Sequence, residues 1–117
     1  MNPKITQGAY RVIRATNIID KAKQPMTVTG WAVRATARLH HAEGDLLSEW
    51  SSDPDDGLGT AVADGREVRL VVLPAMSSAW GAVDRVHVQA EITNPLDVTQ
   101  TERIINQTYD IDREGVR

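Results

Sequence analysis

The residues of this 117-residue chain best able to do chemistry are three histidines and a cluster of aspartates. His40 and His41 are adjacent, and His87 lies far along the chain. Two imidazoles invite a metal reading, with His87 as a third donor. Adjacent residues of a strand point to opposite faces, so His40 and His41 are poorly placed to share one ion. Zinc wants three or four ligands, and nothing in the chain has a recognisable ligand spacing. Asp53, Asp55 and Asp56 could offer oxygens to calcium, but their spacing does not match an EF-hand loop with its bidentate Glu. Ser77 and Ser78 could be nucleophiles beside His87. There is no nucleophile-elbow motif and no acid placed to orient a base. The expectation is therefore no enzyme, no metal and no cofactor. The histidine pair reads as a polar strand end, the aspartates as a solvated turn, and Arg34, Arg38 and Arg69 as a solvated face.

Composition narrows the classes of partner. The formal net charge is −3 and the pI is near 5.5. A general nucleic-acid binder needs a basic field to displace counterions, so that class is not expected. There is no cysteine, which removes disulfides and thiolate metal sites. The opening MNPKITQGAY has no signal-peptide apolar region, and no apolar run approaches the ~20 residues of a membrane span. The expectation is a protein made in the cytoplasm and not bound to membranes.

The elements that must position these side chains are strands. From Trp31 to Leu39 every second residue is apolar, and period-2 patterning recurs through the chain. Strands are expected over 9–19, 31–39, 46–51, 58–63, 67–74, 83–93 and 98–112. Turns fall at 21–27, 42–45, 52–57 and 94–97, where Gly, Pro, Asp and Asn collect. Asp64-Gly65 predicts a two-residue hairpin turn. The stretch 74–81 breaks the rhythm. Pro74 suits a first helical position, Met76 and Trp80 are four apart, and Gly81 would stop the turn.

The sum predicts an all-β fold: an antiparallel, immunoglobulin-like β-sandwich of seven or eight strands with one short helical turn near 74–80. One domain is expected over 1–117, with flexible or partner-ordered termini at 1–7 and 112–117. The alternation nominates Trp31, Val33, Leu39, Trp50, Leu70, Trp80, Val88 and Ile92 as core anchors. An exposed Trp would instead mark a sugar- or protein-binding patch.

Several segments resemble, in order, one family. ITQGAYRVIRAT (5–16), VTGWAVRATARL (28–39), LLSEWSS (46–52), GREVRLVVLPAMSSAW (65–80), AEITNP (90–95) and YDIDREGVR (109–117) are similar to small immunoglobulin-like β-sandwich proteins of tailed-phage structural gene clusters. AVDRVHVQAEI (82–92) and Glu114-Gly115-Val116-Arg117 depart from that pattern. The resemblance implies a non-enzymatic virion protein of the tail, baseplate, fibre attachment or head, whose partners are other virion proteins and copies of itself. Neither nucleic acid nor membrane is implied. The alternative is a carbohydrate-binding or host-adhesion module. Candidate contact residues are Asn2, Lys4, Asp53, Asp55, Asp56, Arg113 and Arg117, from the two tails and the acidic loop.

Overall fold

A computed structural model describes residues 2–112. The chain is all-β with one short helix. The strands are β1 (Lys4–Thr6), β2 (Arg11–Ala15), β3 (Ala32–Leu39), β4 (Leu46–Ser51), β5 (Gly59–Asp64), β6 (Glu67–Val72), β7 (Arg85–Asn94) and β8 (Asp97–Asp112). A 3-10 turn, Pro54–Asp56, precedes β5, and the helix α1 (Pro74–Ser78) follows β6. They form one continuous sheet in the order β1-β8-β7-β3-β4-β5-β6-β2, curled nearly into a barrel.

The sheet is mixed where antiparallel pairing was expected: β1 with β8 and β4 with β5 run parallel. The reason is in the connections. The loop over 52–58 carries the chain across before it re-enters the sheet, so β5 takes the direction of β4. β1 comes from the start of the chain, and no hairpin constrains its direction.

Alternation builds the inner face. Val33, Ala35 and Ala37 of β3 are buried, and Arg34 between them is exposed. In β7, Val86, Val88, Ala90 and Ile92 point inward opposite them. Val68, Leu70 and Val72 of β6 and Ile13 of β2 supply the facing wall. A one-residue slip of β3 would expose Val33 and bury Arg34, which pins the register. Trp31 and Leu39, expected as core anchors, are only half-buried and pack against the core from its rim. Trp31 precedes β3, and Leu39 is its last residue, directly before His40 turns the chain at φ 65°.

The N-terminal segment, expected to be flexible or ordered by a partner, packs against its own chain. Ile5 is completely buried, and β1 pairs with the end of β8. Gln7 is buried as well, and its amide donates to the carbonyls of Ser77 (2.9 Å) and Gly81 (2.7 Å). Those carbonyls lie at and just beyond the C-terminus of α1, where the Ser77 carbonyl also accepts from the Trp80 amide at 3.1 Å. Ser77 Oγ in turn accepts from the Gly8 amide at 2.8 Å. The start of the chain thus caps the helix and is held by it.

Two further boundaries move. The strand expected over 9–19 is regular only at Arg11–Ala15, and Asn17 adopts φ 55° just beyond. The β5–β6 turn is centred on Gly65-Arg66, since Asp64 pairs with Glu67. Gly65 sits at φ 61° in the first central position, the place a type II′ turn reserves for glycine.

Candidate functional site

Of the polar residues singled out from the sequence, the outer face of β3, β7 and β8 holds Arg34, Arg38 and His87. His87 stands opposite Thr108. Its Nδ1 lies 2.9 Å from Thr108 Oγ1 and its Nε2 lies 2.6 Å from Asn106 Oδ1. A neutral ring with the proton on Nε2 satisfies both contacts, donating to Asn106 and accepting from Thr108. Gln89 also donates to Asn106 Oδ1, at 3.3 Å. Arg85 meets Asp110 at 3.3 Å, Arg103 meets Glu91 at 3.4 Å, and Thr93 and Thr101 are 3.1 Å apart. This is a ladder of cross-strand pairs along one hairpin, each member holding its neighbour.

The histidines do not converge. His40 uses its backbone amide to reach the Arg85 carbonyl, and His41 Nδ1 accepts from the Glu43 amide at 3.2 Å. No group of three or more His, Cys, Asp or Glu comes together among the described residues. Ser77 is completely buried with Gly8 and Pro74 as partners, while His87 bonds to β8.

The aspartates build their own loop. Asp53 caps the 3-10 turn, accepting from the Asp55 amide at 2.9 Å. Asp56 accepts from Ser51 Oγ and lies 3.7 Å from Arg34. Asp55 stays exposed. The arginines read as one face are split. Arg34 and Arg38 are on β3, Arg38 donating to the Gly44 carbonyl, and Arg69 is on β6 with Glu67.

The candidate contact residues fall at two ends of the sheet. Asn2 donates to Asp110 at 3.3 Å, and Lys4 is exposed beside it. The aspartate loop lies at the other end, beyond Arg34, which is level with Glu91 near the β7–β8 hairpin. Arg113 and Arg117 lie outside the described residues.

Of the tryptophans, Trp50 and Trp80 are buried and their indoles are committed. Trp50 Nε1 donates to the Val71 carbonyl at 2.8 Å, and Trp80 Nε1 to Ser48 Oγ at 2.7 Å. Neither offers a ring face to a sugar.

The sequence reading missed the residues that stand out most. The β7–β8 hairpin turns through Pro95-Leu96, with Leu96 94% and Val98 76% exposed. A leucine inside Asn-Pro-Leu-Asp was the available signal, because that turn needs no apolar side chain. The hairpin tip is shaped by polar contacts. Asn94 accepts from the Leu96 amide at 3.0 Å, and Asp97 from the Thr99 amide at 3.1 Å and hydroxyl at 2.6 Å. The Thr99 hydroxyl, and then its amide, hold the Asp97 carboxyl below its ordinary value. Two apolar side chains are thus presented on a tip that hydrogen bonds keep folded.

Set against family models, curated proteins and solved structures, the chain matches none of them.

Proposed function

We propose that the chain is a non-enzymatic structural component of a tailed-phage particle, an immunoglobulin-like module that works through protein–protein contacts. The observation that carries this reading is the hairpin tip. Leu96 and Val98 stand in water on a turn tied by Asn94, Asp97 and Thr99. Exposed apolar side chains on a rigid polar frame are suited to seating in a neighbour's pocket. The family resemblance of the six sequence segments supplies the setting.

Quantitative peptide mass spectrometry of purified particles, scaled to the major capsid protein, tests the setting. Stoichiometric presence is the expected result, and absence from washed particles overturns it. Leu96→Asp with Val98→Asp tests the tip: the doubly substituted protein should remain folded and be lost from particles.

A further inference from the structure

The curled sheet stops short of closing, and the place where it stops is built like a docking slot. Its two free edges are β2 and β8. β2 pairs with β6 on one side only, and β8 pairs with β1 only at Asp110, Ile111 and Asp112. No backbone hydrogen bond joins β2 to β8. Between them runs an open groove of about 390 Å³. β2 contributes Arg11, Arg14 and Ala15 to its walls, and β8 contributes Ile104 to Gln107 and Tyr109. An unpaired strand edge presents a row of amides and carbonyls to whatever enters. Here two such rows face one another across one groove.

The topology fixes what could bind them. Followed through the pairings of the sheet, β2 and β8 run in opposite senses. A single extended segment between them would be parallel to one and antiparallel to the other. At the head of the seam β1 already takes the half of this place next to β8, lying parallel to it, with the Pro3 carbonyl accepting from the Asp110 amide at 2.9 Å. The groove prolongs the line of β1 along residues 104–109.

Charge selects among extended segments. The chain as a whole is negative, yet among the described residues no carboxylate lines the groove. Arg11 has no carboxylate partner among the described residues. Its guanidinium donates to the Lys4 carbonyl and lies 5.6 Å from the Tyr109 ring centroid. Arg14 shares Glu67 with Arg69, each at 3.1 Å, so one acid answers two cations. On the opposite wall Asn106 adds an amide donor, while the Gln107 amide donates to the Thr108 carbonyl at 2.8 Å. A positive slot in an acidic molecule attracts an acidic segment while the remaining surface repels it, which favours one docking site.

We infer that an extended, acidic segment of another polypeptide adds as a strand between β2 and β8 and closes the barrel. This deepens the assembly reading above by naming the surface and the chemistry of the partner segment. It needs no covalent step.

The test uses the full-length protein and a labelled decapeptide of alternating valine and glutamate, with its valine–lysine counterpart as control. Binding is read by fluorescence anisotropy and the site by amide hydrogen exchange. The acidic peptide should bind, slow exchange across 11–15 and 104–109, and weaken about tenfold in Arg11→Gln/Arg14→Gln, as expected for a charge-steered contact. The valine–lysine peptide should not bind. Equal binding of both peptides, protection elsewhere, or no binding overturns the inference. Exchange in β3 and β7 of the double variant checks that it is folded, and the peptide charge reversal on the natural chain needs no variant at all. Presence in particles is read by mass spectrometry, so an empty seam and a failed virion assignment give different results.

Discussion

The sheet is interrupted twice, and the two interruptions are handled in opposite ways. At the β4–β5 corner only two residue pairs connect the strands, Trp50 with Gly59 and Ser51 with Thr60. That corner is dry. Trp50 is completely buried behind it, and its indole crosses to the Val71 carbonyl of β6. Gly59 gives the ring room: a Cβ there would stand 2.7 Å from both Trp50 Cδ1 and Met76 Cε. The seam between β2 and β8 has no pairs at all. It is lined by arginines and amides, with Tyr109 as its largest apolar wall. A missing ladder is tolerated at the corner because one large side chain replaces it. It is tolerated at the seam because the groove is open and charged and amide side chains line the edge.

This contrast can be attacked from the dry side first. Trp50→Ala should cost about 3–5 kcal/mol, since it empties a fully buried aromatic site and strips the Val71 carbonyl of its donor. Urea unfolding measures it. A loss under ~1 kcal/mol would mean the corner is held by its backbone pairs, against the cavity cost normal for a core. Gly59→Ala should cost about 1–3 kcal/mol through overpacking, in the same titration. Adding Met76→Ala should recover part of that loss, because Met76 is the movable neighbour and the Trp50 ring is not.

The wet side should respond weakly. Arg11→Ala removes a cation set over Tyr109 and should cost about 0.5–1 kcal/mol, as partly exposed cation–π contacts do. A loss as large as that of Trp50→Ala would erase the distinction between the two breaks.

A pH experiment sharpens the same comparison. Burial pushes the Tyr109 phenol above its ordinary value near 10, and Arg11 opposes that shift. The folded state therefore holds this proton to higher pH than the unfolded chain does. The stability it contributes is full below the unfolded value and is lost as pH rises through that value towards the folded one. Unfolding midpoints should fall above about pH 10. Tyr109→Phe should remove that part of the alkaline loss. Arg11→Ala should move the phenol titration, followed by ultraviolet absorbance, to still higher pH.

The smallest effect belongs to the hairpin tip. Asp97 gains from Thr99 only when ionised, so that contribution is present above the unfolded carboxyl value and disappears as pH falls through the lowered one. In a carboxyl NMR titration, Thr99→Val should return Asp97 towards its ordinary value and leave the other aspartates unmoved.

What the sequence determined by itself is the set of elements whose evidence is local. Alternation over 31–39 and 83–93 marks Val33, Ala35, Ala37, Val86, Val88, Ala90 and Ile92 as one inward set, because a strand's faces differ with period two. Pro74, Met76, Trp80 and Gly81 announce the helical turn for equally local reasons. The aspartates of 52–57 cap and close their own loop, as turn chemistry requires. Only the tertiary structure decided the pairings between distant segments. Nothing near Lys4-Ile5-Thr6 says that it lies beside Asp110, Ile111 and Asp112, or that Gln7 caps a helix seventy residues on. The parallel pairs, the closing side chain at the corner and the open seam between Arg11 and Tyr109 are likewise relations between remote stretches. A short strand carries no information about which edge it joins. That choice is made when side chains from both ends of the chain compete for the same buried space.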